Sequence, residues 1–126
     1  MKKTLLLLLM SCSLSMQAVN HKPFTIPELK TWHGGKGSFV PTKASRIVYT
    51  GNDKRVAMAL EVFAADYQKM FHTSLPIVKD KARAGDFTFA IRTTKGSKTS
   101  TSDEAYKINI GRVARVEAAT PQGIHW

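Results

Sequence analysis

Apolar and polar residues alternate most clearly in the last third of the chain. Phe87, Phe89 and Ile91 alternate with polar or small residues, which predicts a half-buried strand. Residues 106–110 and 114–118 show the same period of two on either side of Gly111 and Arg112. A glycine between two alternating runs is typical of a reversal, so these residues predict a hairpin.

A longer period marks residues 53–71. Asn52 is placed to cap a helix, and Asp53 would lie in the first turn, where its charge meets the positive end of the helix dipole. One apolar stripe follows at helical spacing, formed by Val56, Leu60, Phe63, Tyr67 and Met70. Residues 75–78 resemble an edge strand, because Pro76 has no amide hydrogen for a ladder.

These elements predict an α+β fold with a mainly antiparallel sheet. One long helix, and the start of a second, would pack on one face of that sheet. Thr120 is placed to cap the second helix and Pro121 to be its first residue, since proline has no amide to lose there. The 126 residues allow one domain, which we place at 21–126.

The stretch from Glu104 to Trp126 carries a resemblance to a known family. A strand of the form Tyr-x-Ile-x-Ile, a glycine turn, a second strand running into Glu-Ala-Ala-Thr-Pro-x-Gly, an apolar residue and Trp follow one another there. This resembles the end of the N-terminal accessory domain of family 20 glycoside hydrolases, the β-N-acetylhexosaminidases. In that family the next residues complete the helix and lead into a catalytic (β/α)8 barrel, so the sequence looks cut short before the barrel.

The resemblance implies a function for the parent protein. It would be an exported β-N-acetylhexosaminidase that removes terminal N-acetylhexosamine by a substrate-assisted, retaining mechanism. This chain would supply the non-catalytic supporting domain, with the barrel of the same polypeptide as its partner and glycan bound only through that barrel. By itself the chain would be inactive. Similar domains precede barrels in some other glycosidases, including enzymes acting on O-linked N-acetylglucosamine or on glucuronides.

Two further function classes follow from composition. A free-standing carbohydrate- or surface-binding module would need exposed aromatic residues, and Trp32 is the strongest candidate for exposure. A nucleic-acid binder would fit the formal charge of +10, which falls to +8 without Lys2 and Lys3. The basic residues are spread along the chain without interleaved aromatic side chains, so we expect no nucleic-acid partner.

The first residues are typical of an export signal. Met1-Lys2-Lys3 precedes an apolar run at residues 4–10, which is too short to span a bilayer permanently. Residues 1–20 therefore predict a signal peptide, with cleavage after Ala18 as one outcome. The alternative is a lipoprotein signal, with Cys12 lipidated and the protein held at a membrane only through that lipid. The expected location is the periplasm, the cell surface or the medium.

We predict no catalytic, cofactor-binding or metal-binding residue in this chain. The adjacent pair Asp103 and Glu104 follows a Ser/Thr-rich loop, without an apolar pocket to raise a carboxyl pKa, so it indicates solvated charges. Residues 32–38 resemble a phosphate loop only in composition, because no helix follows them. The histidines do not share metal-ligand spacing with each other or with the cysteine; they are His21, His33, His72 and His125.

Overall fold

The chain divides into two compact units, Met1–Gly37 and Ser38–Trp126. A computed structural model describes residues 18–92 and 104–125. The predicted leader therefore lies almost wholly outside the described residues, as do Cys12, Asp103 and Trp126.

The described part of the first unit is an extended segment closed on itself by hydrogen bonds. The Asn20 amide donates to the Gly35 carbonyl at 2.8 Å, and the Asn20 side chain donates to the Gly37 carbonyl at 2.8 Å. Gly34 fits beside Asn20 only because glycine lacks a side chain, since a Cβ there would clash with the Asn20 carbonyl oxygen. The glycines near residue 35 thus form a turn, as their sequence indicated.

The second unit holds a five-stranded sheet and two helices. The strands are β1 (Ile47–Val48), β2 (Ile77–Val78), β3 (Phe87–Ile91), β4 (Tyr106–Ile110) and β5 (Ala114–Ala118); the helices are α1 (Lys54–Phe71) and α2 (Gln122–His125). The sheet has the order β2-β1-β3-β5-β4. Strand β2 is at an edge, as Pro76 predicted, and β4 and β5 form the predicted hairpin with an antiparallel pairing.

The prediction of a mainly antiparallel sheet is wrong. Strand β1 is parallel to both of its neighbours, β2 and β3, and β3 is parallel to β5. The physical reason lies in the connections. Helix α1 returns the chain between β1 and β2, and residues 79–86 return it again before β3, so all three strands run in the same direction. The fold is a small α+β layer with a mixed sheet.

Helix α1 has the predicted length, but its N-cap lies one residue later than predicted. Asp53, not Asn52, is the N-cap, and its carboxylate accepts hydrogen bonds from the amides of Arg55 and Val56. His72 ends the helix in the left-handed conformation, with φ 53° and ψ 31°. Met70 was predicted to belong to the buried stripe, and this is wrong, since its side chain is exposed.

Both helices contribute to a single core on one face of the sheet. Val56, Leu60 and Tyr67 of α1 pack with Ile47 of β1 and Ile124 of α2. Alternate residues of β3 and β5 complete this core from below, namely Phe87, Phe89, Ile91, Val116 and Ala118. The predicted placement of the helices on one face of the sheet is therefore confirmed.

Candidate functional site

Among the residues that the structure describes, an extensive group of hydrogen-bonded charged side chains surrounds Arg46, at the start of β1. Its guanidinium donates to Asp86 Oδ2 at 2.7 Å, to Asp80 Oδ2 at 2.8 Å and to the Lys81 carbonyl at 3.0 Å. Asp86 also accepts from the backbone amides of Arg46 at 3.1 Å and Arg83 at 2.8 Å. One arginine thus ties the connection between β2 and β3 to the beginning of β1.

In this cluster the Arg46 guanidinium and the carboxylates of Asp80 and Asp86 all bind partners of opposite charge, and we call it a saturated ion-pair cluster. Burial raises the pKa of the Asp86 carboxyl, but hydrogen bonds from Arg46 and from the Arg83 amide outweigh it and hold the pKa below its usual range. The hydrogen bond from Arg46 likewise lowers the pKa of Asp80, and the two carboxylates raise the pKa of Arg46. A general acid or base needs a pKa near the working pH, so this cluster is suited to holding the fold together and not to proton transfer.

A shallow cavity of about 310 Å³ lies where β1 and β3 end and α1 begins. Its lining includes Tyr49, Asp53, Phe89 and Pro121. The carboxyl ends of parallel strands are common ligand sites in α/β sheets, and this cavity occupies that position. The Asp53 amide donates to Tyr49 Oη at 3.2 Å, while the Asp53 carboxylate is engaged by Arg55, which lowers its pKa. Tyr49 Oη and the Asp53 carboxylate therefore stabilise the start of α1.

Comparison with known proteins identifies the family to which this domain belongs. The family model described as glycosyl hydrolase family 20, domain 2, matches residues 22–126. The chain belongs to this family. A search of curated proteins finds no match. The family 20 domain is an N-terminal accessory domain, and it normally sits beside a catalytic barrel in the same polypeptide.

In this family 20 domain, Glu104 and the four histidines do not form a metal-binding group within the described residues. Glu104 is exposed at the start of the hairpin, while its neighbour Asp103 lies outside the described ranges. The histidines at 21, 33, 72 and 125 are all exposed. In residues 18–92 and 104–125, no group of three or more His, Cys, Asp or Glu side chains is arranged to hold a metal ion. The absence of catalytic and metal ligands from the whole chain stays a prediction.

The aromatic residue proposed for a sugar platform is not freely exposed. Trp32 is half-buried, and its indole nitrogen donates to the Asn20 carbonyl at 3.3 Å within the first unit. A stacking platform needs an open aromatic face, so this hydrogen-bonded position gives the binding-module alternative no support.

Sequence reasoning missed the Arg46 cluster. Arg46 and Asp86 are 40 residues apart, and neither lies in a motif with a fixed spacing. The one local signal was the position of Asp86 directly before the clearest strand of the chain. Only the pairing of β1 with β3 brings the two side chains together.

Proposed function

We propose that this chain is the non-catalytic supporting domain of an exported β-N-acetylhexosaminidase. The match of residues 22–126 to the family 20 accessory domain carries this proposal. In the parent enzyme, the barrel of the same polypeptide binds the glycan and removes terminal N-acetylhexosamine, with the acetamido group of the substrate as nucleophile. This domain contributes stability and position to the barrel.

The saturated chemistry of the described residues supports a structural role. Arg46 is engaged by two carboxylates and a carbonyl, and Asp53 is engaged by the amides that begin α1. Catalytic groups in a glycosidase face each other across a bond and have separated pKa values. The lowered pKa values of Asp53, Asp80 and Asp86 instead keep all three carboxyl groups ionised at neutral pH.

Export is part of the proposal and rests on the sequence of the leader. Basic residues at positions 2 and 3 followed by the apolar run at 4–10 are what the secretion machinery recognises. Cys12 offers lipidation as the second route, which would anchor the mature protein to a membrane. Mass analysis of the mature N-terminus distinguishes these routes, because lipidation starts the protein at Cys12 and adds the mass of acyl chains.

The test of function compares two proteins expressed from the same gene. The product of the entire reading frame that contains this chain is assayed with 4-nitrophenyl N-acetyl-β-glucosaminide, beside the 126-residue chain. We expect hydrolysis by the entire product and none by the 126-residue chain. Hydrolysis of a β-glucuronide in place of the N-acetylhexosaminide would assign the domain to another kind of glycosidase. An entire product that hydrolyses neither substrate would refute the proposal.

A further inference from the structure

The turn of the β4–β5 hairpin carries two arginines whose charges have no partner in the described part of the chain. Arg112 and Arg115 are exposed, and their side chains form no hydrogen bond or ion pair there. Together with Asn109 they line a shallow depression of about 370 Å³. Asn109 pairs with Arg115 across the hairpin, so both side chains lie on one face of the sheet. This is the face away from the core, because Val116, the next residue of β5, packs into the core.

Two further segments bring cations to the same end of the sheet. The Gly85 amide donates to the Arg112 carbonyl at 2.8 Å, so the segment 79–86 lies directly beside the hairpin turn. The Arg46 guanidinium donates to the Lys81 carbonyl at 3.0 Å, which joins that segment to the residues before β1. Five exposed cations at this end have no hydrogen-bonded or ion-paired side-chain partner among the described residues, and we call them the basic edge: Lys43, Lys81, Arg83, Arg112 and Arg115.

The nearby carboxylates do not neutralise the basic edge. Arg46 binds Asp86 at 2.7 Å and Asp80 at 2.8 Å, so one of these two negative charges is already offset. Glu117, further along β5, is paired with Arg92 at 2.7 Å. The start of the parallel strands is therefore net positive, and such a surface attracts anions over a Debye length of about 8 Å at physiological salt.

The donors around the depression suit carboxylate or sulfate groups. A guanidinium presents a planar fork of N–H donors that matches two oxygens of such a group, and the Asn109 amide adds a neutral donor. Strands β1, β3 and β5 are neighbours in the sheet and stand about 4.8 Å apart, so the cations at their starts form a row across the edge. A row of cations fits an extended polyanion better than one small ion.

The side chains beside these cations favour a sugar polymer over a membrane or a nucleic acid. Proteins that lie on an anionic bilayer insert large apolar side chains beside their cations, and the segments 79–86 and 111–113 expose none. Exposed Ile110 adjoins the turn, but it pairs with Ala114 and so lies on the helix side of the sheet. A single-stranded nucleic acid is bound by stacking on aromatic residues, which both segments lack.

We propose that the basic edge binds an acidic polysaccharide, one that carries carboxylate or sulfate groups along its chain. Arg112 and Arg115 hold one acidic group in the depression, and the other cations bind groups further along the polymer. The choice of a glycan rests on the proposed function, because an exported glycosidase works among glycans. The inference departs from the expectation that glycan is bound through the barrel alone, since it gives this domain a glycan contact of its own.

Binding of the entire gene product to immobilised polysaccharides tests the inference. The probes are dextran sulfate, which carries sulfate groups, polygalacturonate, which carries carboxylates, and neutral dextran, all at about 150 mM salt. The double variant Arg112→Gln/Arg115→Gln removes the two charges that line the depression. Hydrolysis of 4-nitrophenyl N-acetyl-β-glucosaminide, a small neutral substrate, is measured on every protein beside binding.

The matched control is the double variant Lys54→Gln/Lys79→Gln. It removes the same net charge from exposed positions at the other end of β1, where α1 begins. Lys79 lies at that end because its ammonium donates to Asn52 Oδ1 at 2.9 Å. If the arginine double variant does not fold, Arg112→Gln alone, in the exposed turn, takes its place.

We expect the arginine double variant to bind the acidic polymers on the order of tenfold more weakly than the wild type, because two exposed ionic contacts are lost. The lysine control should bind like the wild type, and hydrolysis of the neutral substrate should be unchanged in both. A preference for dextran sulfate or for polygalacturonate identifies the acidic group that the depression holds.

An equal loss of affinity in the lysine control would overturn the inference, because net charge and not the basic edge would then decide binding. Equal binding to neutral dextran, or tighter binding to duplex DNA or to phosphatidylglycerol vesicles, would overturn the choice of an acidic polysaccharide. Hydrolysis without polysaccharide binding overturns this inference alone. Binding through the two arginines without any glycosidase activity would refute the proposed function and leave the anion contact standing.

Discussion

Removing the charge of Asp86 should be among the most destabilising conservative substitutions in this chain. The Asp86 carboxylate is 2% exposed and accepts hydrogen bonds from the Arg46 guanidinium and from the amides of Arg46 and Arg83. In Asp86→Asn, an NH2 group replaces one of these acceptors and faces N–H donors. Breaking a buried pair typically costs about 3–5 kcal/mol, and Asp80 still neutralises Arg46, so we expect a loss of about 3 kcal/mol.

The loss should be measured as a change in the free energy of unfolding by urea, followed by circular dichroism at neutral pH. Asp66→Asn is the matched control, because it removes an exposed carboxylate paired with Lys69 at 3.3 Å. Exposed pairs of this kind contribute roughly 0–1 kcal/mol. If the two substitutions cost the same, the reasoning about the Arg46 cluster is refuted.

The difference in unfolding free energy between the wild type and Asp86→Asn should depend on pH. The folded-state pKa of Asp86 lies below its unfolded value, so its contribution is present above the unfolded pKa, about 3.9, and is lost as the pH falls further. Asp86→Asn has no carboxyl to protonate at this position. The difference in stability between the wild type and Asp86→Asn should therefore shrink below about pH 4, and a difference that stays constant down to pH 2 would contradict the assigned pKa direction.

Two further predictions concern the backbone. Gly123→Ala places a Cβ 2.6 Å from the Ala105 carbonyl oxygen and 2.7 Å from Ala118 Cβ, so it should cost about 1–3 kcal/mol in urea unfolding, while Gly111→Ala, with open space around it, should cost less. His72→Gly relieves a left-handed residue with φ 53° and should raise the free energy of unfolding by up to about 1 kcal/mol; a lower melting temperature than the wild type would contradict this.

The sequence predicted the elements whose cause is local. The stripe that includes Val56, Leu60 and Tyr67 recurs at the helical period, and it identified α1 to within two residues at each end. The alternation in residues 106–118 identified the β4–β5 hairpin, because a period of two and a central glycine are sufficient to define one. The residues near the C-terminus also pointed to family 20, which the family match confirms.

The sequence could not fix which residues of an amphipathic element become covered. Met70 has the spacing of the buried stripe but is exposed near the end of α1, while Ile108 and Ile110 alternate as a half-buried strand should and remain largely uncovered. Periodicity gives the side of an element on which a residue lies. The amount of cover depends on which other elements reach that side, and this is a property of the packed fold.

The direction of the strands was decided by tertiary structure. The order of the predicted elements, with one long helix between groups of strands and the start of a second helix after them, favoured a mainly antiparallel sheet. In the fold, Arg46 binds Asp80 and Asp86 near the two ends of the segment 79–86, and β3 lies beside β1 and runs parallel to it. Contacts between residues 34 and 40 positions apart leave no periodic trace. Local patterns therefore predicted α1 and the β4–β5 hairpin, whereas the strand directions and the long-range ion pairs arise only in the packed fold.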